Sequence, residues 1–252
     1  MVGLMDLGIS GRTAAVAAGS SGLGLGAARA LAAEGCAVII CGRDQDRLNA
    51  ARTALDGENY PGRVHAVSAD VSDAAGAAGF IASAEDAAGA PIDILVPNAG
   101  GPPPGNFDST DVDAYAAALD LNLVSTVAMC KAAVPGMRER GWGRVVAITS
   151  LSVRQPMANL ILSNTARAGA TAFLKTLALE VAADGVTVNT VQPGIHDTPR
   201  LAALYTDEQR ASMRMGNADD FGAVVAFLCG EPARFTTGVQ LHVDGGAYAA
   251  LL

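Results

Sequence analysis

The sequence predicts an α/β fold in one domain, built on a doubly wound parallel sheet of about seven strands. Two observations carry this. Short apolar runs alternate with helix-length segments from end to end, and parallel strands need such crossovers. No shift of composition and no linker divides the 252 residues, a length that suits one α/β domain with a substantial core.

Taken in order, residues 13–18 form an apolar run ending in small residues, the first strand. Residues 23–34 have helical spacing, with Gly35 as a stop. Residues 37–41 are the second strand, and 44–56 the helix after it. A third run, 64–68, ends at Asp70, and 74–88 is helical in composition. The fourth run, 92–96, ends at Asn98; 100–106, with its three prolines, is a loop. Residues 111–138 read as one long helix that Pro135 should end or kink. Runs at 144–150, 186–191 and 241–243 complete the sheet, and 163–183 is a long Ala/Leu-rich helix. Residues 198–218 break the rhythm just after the sixth strand, where such a sheet presents its ligand edge. They predict a substrate lid with apolar walls from Leu201, Leu204, Tyr205, Met213 and Met215.

Half the residues are apolar but only 4% are aromatic, so the core must be packed tightly from small side chains. The net charge of −8 argues against nucleic acid or an anionic membrane as the main partner. Cys36, Cys41, Cys130 and Cys229 show no CxxC spacing and sit in apolar contexts, which predicts buried free thiols. His65, His196 and His242 are far apart, and no metal site is expected. Residues 1–10 lack a basic region followed by a long apolar run, and no apolar segment reads as a membrane span. A soluble, cytoplasmic protein is the expectation.

The first junction, AAGSSGLG over residues 17–24, follows a strand and opens a helix. Glycines there let backbone approach a pyrophosphate, to which the helix N-terminus offers free N–H groups. The candidates are Gly19, Ser20, Ser21, Gly22, Leu23 and Gly24; an ordinary glycine-rich turn is the alternative. Arg43 follows the second strand, where an acid would favour the ribose hydroxyl of NAD(H). A cation there suits a 2′-phosphate, so NADP(H) is favoured over NAD(H). Asp44 follows at once, and Arg43 could instead be paired or solvated.

Further motifs lie at fixed places: Asp70-Val71, Asn98-Ala99-Gly100, Asn122 in LDLNL, Ser150 in ITS, Pro193-Gly194 with Thr198 beyond, and the VDGG string at 243–246. With the first junction, they give the chain a resemblance to the short-chain dehydrogenase/reductase family over nearly its whole length, 3-oxoacyl-acyl-carrier-protein reductases above all. The family's opening motif is TGxxxGxG; Gly22 and Gly24 match it, Ala17 and Ala18 replace its Thr and first Gly, and Gly19 sits one position late. The resemblance implies a Rossmann-type fold and a homotetramer or homodimer. It implies cofactor contacts from Asp70, Val71, Asn98, Ala99, Gly100, Pro193, Gly194 and Thr198. Asn122 and Ser150 fall on the family's tetrad asparagine and serine. The long helices at 111–138 and 163–183 carry apolar residues on more than one face, which also suits burial against a second subunit.

The departure comes at the family's Tyr-x-x-x-Lys, whose Tyr follows the tetrad serine by thirteen residues. Counting from Ser150 lands on Ser163, and counting back thirty from Pro193 lands on the same residue. Ser163 stands where Tyr belongs, and Arg167 where Lys belongs. The family's Tyr moves a proton at the substrate oxygen, helped by Lys, which lowers its pKa from about 10. A serine is a poorer general acid. An arginine stays protonated and can still bond ribose hydroxyls or a developing oxyanion.

Three readings follow: an atypical NADP(H)-dependent reductase of a carbonyl or hydroxyl substrate, including acyl-carrier-linked ones; non-redox carbonyl chemistry such as a lyase or dehydratase step; or a non-catalytic cofactor binder. In the first, the proton comes from water, Ser150 or a side chain such as His196, which is otherwise a packing residue. Arg154, Asn159 and Asn164 give the stretch before Arg167 a polar set that is either an anion or carbonyl pocket or plain turn chemistry. Tyr205 is a further candidate for substrate contact.

Overall fold

The computed structural model describes residues 5–251; the first four residues of the stretch read for a leader, and residue 252, lie outside them. The apolar runs become seven strands: β1 (Thr13–Val16), β2 (Ala37–Gly42), β3 (Val64–Ser68), β4 (Ile94–Val96), β5 (Gly143–Ile148), β6 (Val186–Pro193) and β7 (Gln240–Val243). They form a single sheet in the order β3-β2-β1-β4-β5-β6-β7, and every pairing is parallel. Val16 pairs with Ile40 on one side and Val96 on the other. The chain winds outward from β1 to β3, then returns to place β4 beside β1. That reversal opens a crevice at the carboxyl ends of β1 and β4. The predicted Rossmann-type α/β fold is the one found.

Helices cover both faces. On one side α1 (Gly22–Ala33), α2 (Gln45–Gly57) and α9 (Ala218–Cys229) bury Leu31, Leu48 and Phe221 against the sheet. On the other, α3 (Ala74–Ala88), α5 (Ser125–Glu139) and α6 (Ile161–Val181) bury Phe80, Met129 and Leu174. The predicted tight packing of small residues is clearest between α1 and α9. A Cβ on Gly26 would strike the Ala218 carbonyl, and one on Gly222 would strike that of Gly26. No helix is predicted for α9, although Asn217 caps it by accepting from the Asp220 N–H at 2.7 Å.

The long helix differs from its prediction. It starts later, with α4 (Ala114–Leu119), passes through a π-helical turn at Asp120–Val124, and continues as α5. Pro135 does not end it. One backbone bond is lost there, but Val134 and Met137 are buried, and four residues follow before the helix stops. Against the expectation that no apolar segment reads as a membrane span, the helix Ala114–Glu139 is long and apolar enough by length and composition alone, with an 18-residue window of mean hydropathy 1.4. In this fold its apolar residues pack on α3 and α6. The segment 198–218 holds two short helices, α7 (Pro199–Leu204) and α8 (Asp207–Ala211).

Candidate active site

A cleft of about 440 Å³ opens above the carboxyl ends of β1, β4, β5 and β6. Its floor on the β1 side is the glycine-rich junction. Gly22 adopts the left-handed φ of +56°, which turns the chain into α1. A Cβ on Gly24 would strike the Ala18 carbonyl oxygen and meet the Asn98 Nδ2 at 2.9 Å, so only glycine lets helix, turn and β4 loop close up. Ala18, where the family motif has glycine, takes a φ of +48°, a strained conformation for a residue with a Cβ. Ser21 is the N-cap of α1, yet its side chain makes no capping bond, and no acid lies in the first turn. Free N–H groups and the Ser21 hydroxyl therefore face the cleft beside Gly22 and Leu23. This cradle fits a dinucleotide pyrophosphate. Gly19 packs so closely on Ile40 that a Cβ would lie 2.8 Å from it, while Ser20 rests over Gly42 at the end of β2.

Beyond the cleft, Arg43 is 72% exposed and stands 3.8 Å from the Asp70 carboxylate. Asp44 is not its partner. Asp44 caps α2, accepting from the Arg47 N–H at 2.9 Å and from its Nη2 at 3.2 Å. Asp70 also accepts from the Ser72 N–H at 3.0 Å, and Val71 is buried in the core beneath.

Ser150 and Ser163 line the cleft from β5 and α6. Ser150 Oγ accepts from the Ser152 N–H at 3.1 Å, which leaves its own proton for a ligand. Ser163 is nearly buried in the first turn of α6, and among the described residues its hydroxyl has no hydrogen-bond partner. Arg167 lies one turn further on. Its Nη1 donates to the carbonyls of Ile148 and Thr149 at 3.2 Å each. Its Nη2 donates to those of Ala99 and Gly100 at 3.3 and 3.4 Å. Four backbone acceptors thus take up the fork, which the sequence reading offers to ribose or an oxyanion. Burial, and then the nearby Arg200 guanidinium, push Arg167 down to about 10, so it stays a cation at neutral pH. Asn122, in the π-turn, donates to the Gly100 carbonyl at 2.9 Å and does not line the cleft.

The far wall comes from β6 and the segment after it. Pro193 and Gly194 line it, and the Gly194 N–H donates to the Val243 carbonyl at 3.0 Å. Thr198 caps α7, accepting from the Leu201 N–H at 3.4 Å, and a Cβ on Gly22 would meet its methyl at 3.4 Å. Leu201, Leu204 and Tyr205 line the cleft as expected. Met213 and Met215 do not, because α8 carries the chain away before them. His196 reaches the cleft but is buried, edge-on to Phe221 at 5.3 Å, with Nδ1 3.2 Å from the Gly194 carbonyl. Burial lowers its pKa, opposed by that hydrogen bond and by Asp220.

Three predicted substrate residues fall outside the cleft. Arg154 faces the Tyr248 ring at 6.0 Å. Asn159 holds a left-handed turn at φ 60°, and its carbonyl accepts from the Gly105 N–H at 2.8 Å. Asn164 donates to the Met157 carbonyl at 2.9 Å. The two asparagines serve the turn before α6, and Gln155, Met157 and Leu160 face the cleft instead. Arg200 also lines the cleft, and no motif in the sequence points to it. A local signal marks only where its helix starts, Thr198 before Pro199 being a cap followed by a first helical position. Among the described residues no metal-binding cluster of His, Cys, Asp or Glu occurs.

A glycine-rich turn at the switch point, with hydroxyls and a buried cation beside it, is the site of an α/β oxidoreductase. A family model described as Enoyl-(Acyl carrier protein) reductase matches residues 17–248. The "Dehydrogenase/reductase SDR family member 4" of Oryctolagus cuniculus is 32% identical over 252 residues, covering 96% of each chain. L-sorbose reductase from Gluconobacter frateurii, solved with NADPH and L-sorbose, superposes with a TM-score of 0.90 at 30% identity, over 98% of this chain and 100% of that one. A 3-oxoacyl (acyl-carrier-protein) reductase from Agrobacterium tumefaciens C58, solved with NADP, gives a TM-score of 0.88 at 30% identity over 95% of both. The chain belongs to the short-chain dehydrogenase/reductase family.

Proposed function

We propose that this protein is an NADP(H)-dependent carbonyl reductase whose proton chemistry runs without the family's Tyr-Lys pair. The observation that carries it is the placing of the Ser150 and Ser163 hydroxyls in one cleft beside Arg167 and the dinucleotide cradle. Ser21, Gly22, Leu23 and the β4 loop would hold the dinucleotide, and Arg43 a 2′-phosphate. When bound, NADP(H) supplies or takes up the hydride.

In this reading Ser150 Oγ donates a hydrogen bond to the carbonyl oxygen, and Ser163 Oγ offers a second. Neither hydroxyl is acidic enough to give its proton away outright, so water admitted to the cleft delivers it. Arg167 acts on the developing oxyanion as a fixed positive charge, because its terminal N–H groups are engaged with backbone. The space that a phenol would fill above Ser163 stays open to substrate. The homodimer or homotetramer expected above belongs to the same reading; Phe107, Val112 and Leu179 are apolar and solvent-exposed in the single chain.

Fluorescence titration with NADPH and NADH, followed by a carbonyl panel at the nicotinamide absorbance, tests it. Tight NADPH binding with slow reduction supports the reading. Substrate loss without nicotinamide oxidation points to lyase or dehydratase chemistry, and binding with neither points to a cofactor sensor. The paired change Ser163→Tyr and Arg167→Lys should raise reductase turnover by at least tenfold, since a general acid contributes roughly 10²–10⁴. A folded, NADPH-binding double variant with no gain on any carbonyl counts against it.

A further inference from the structure

The cleft has a charge pattern at odds with the rest of the chain. The protein carries 25 acidic residues and a net charge of −8, yet no Asp or Glu lines the cleft, whereas Arg167 and Arg200 both do. Among the described residues neither guanidinium has a carboxylate partner. The nearest acid along the chain, Asp197, stands 3.5 Å from Arg210 instead. Two unpaired cations at one site repel each other, and proteins hold such an arrangement where an anion is to arrive.

Arg200 is the free one of the two. It comes from the first turn of α7, and its Nη2 donates to the Pro102 carbonyl at 2.9 Å. The guanidinium lies flat over Gly101, where a Cβ would fall 2.7–3.0 Å from its atoms. That is one bond from a group with five N–H donors, and the side chain is exposed where it lines the cleft. The residue within 4 Å of a Cβ built on Gly22 is Thr198, not Arg200.

We propose that Arg200 binds a carboxylate on the carbonyl substrate, so that the substrates are oxo acids and their hydroxy-acid counterparts rather than neutral ketones or thioesters. With one Nη2 proton given to Pro102, the remaining N–H groups still offer two parallel donors to the oxygens of a planar carboxylate. A phosphate dianion would call for a second cation's donors, and those of Arg167 are taken by four carbonyls. The bond to Pro102 holds α7 against the β4 loop, so the substrate anion and the lid share one anchor. This inference rests on the reductase reading for the reaction but not for the binding.

The test separates the two. Binding of a series of straight-chain oxo acids of increasing length, each beside its methyl ester, is measured by calorimetry on the NADP⁺-loaded protein, where no reduction can occur. At least one acid should bind ten- to a hundredfold tighter than its ester, the range for a charge-assisted pair. Arg200→Gln should erase that preference and Arg200→Lys should keep part of it, while NADPH affinity moves by less than about twofold. Acids and esters binding alike along the whole series overturns the proposal. So does an Arg200→Gln variant that loses NADPH affinity as steeply as acid affinity, since Arg200 is then a cofactor ligand. If acids bind through Arg200 but no carbonyl is ever reduced, the reductase reading fails and this one stands.

Discussion

Asn122 and Arg167 donate to the same acceptor, the carbonyl oxygen of Gly100, at 2.9 and 3.4 Å. One arrives from the π-turn and the other from α6, so two helices converge on the loop that leaves β4. Asn122 Oδ1 is buried and, among the described residues, unpaired. A polar atom left so is uncommon and concentrates at functional sites. With its three other carbonyl bonds, the Arg167 guanidinium ties the end of β4 to the end of β5.

Arg167→Lys should therefore destabilise the fold, although the charge is kept. A Lys ammonium is a point donor on a flexible stem and cannot span two strand ends as a planar fork does. The expected loss is about 1–3 kcal/mol, and Arg167→Ala should lose more. For a domain of this size each kcal/mol moves the melting midpoint by roughly 2–4 °C. An unchanged midpoint in thermal unfolding of Arg167→Lys would show that these bonds contribute nothing.

In the proposed reading Arg43 carries the cofactor preference. It is largely exposed, and among the described residues its one ion pair, to Asp70, is loose at 3.8 Å. Such a pair is worth little to stability, so Arg43→Ala should leave the melting midpoint within about 2 °C, in keeping with surface substitutions near ±0.5 kcal/mol. Its affinity for NADPH should fall by about tenfold or more, with NADH little affected, since only the former offers a phosphate to a guanidinium. Equal losses for both cofactors would remove the basis for NADP(H).

Much of the fold was legible because periodicity and glycine placement speak directly. The helix Ala74–Ala88 and the strand Val64–Ser68 fall where the pattern puts them. The π-turn at Asp120–Val124 was not legible, since one extra residue in a helical turn leaves no mark on an Ala/Leu-rich pattern. At the site, motif spacing brought Ser150, Ser163 and Arg167 to one cleft, but composition alone could not tell pocket polarity from turn polarity. Asn159 and Asn164 are cases of the second. Arg200 was missed because its role depends on meeting Gly101, a hundred residues away in sequence, which no local pattern encodes.

The four cysteines are free and buried. Burial pushes the Cys36, Cys41 and Cys130 thiols up to about 12 and raises Cys229 as well, so the reactive thiolate is scarce at neutral pH. An aromatic disulfide reagent at pH 8 should label none of them in the native protein and all four in denaturant. Rapid labelling of a native thiol would place that cysteine at the surface or on an opening segment.

His196 should make stability fall as the solution is acidified below neutrality. Packed on Phe221 with its ring away from water, it has a folded-state pKa below its ordinary 6.5. Between the two values the unfolded chain holds a proton on this residue and the folded chain does not. Proton uptake on unfolding means that unfolding becomes easier as pH drops. The contribution is complete above about 6.5, declines through the window beneath it, and levels off below the folded value. Glu58 and Asp244, whose pKa values are lowered from 4.5 and 3.8, lose their contributions only in more acid solution, so they leave pH 5–6.5 clear. Urea unfolding at half-unit steps from pH 7.5 to 5 should show the decline in the parent protein and a flatter profile in His196→Asn. If the variant loses stability over that range as steeply as the parent, another group carries the proton.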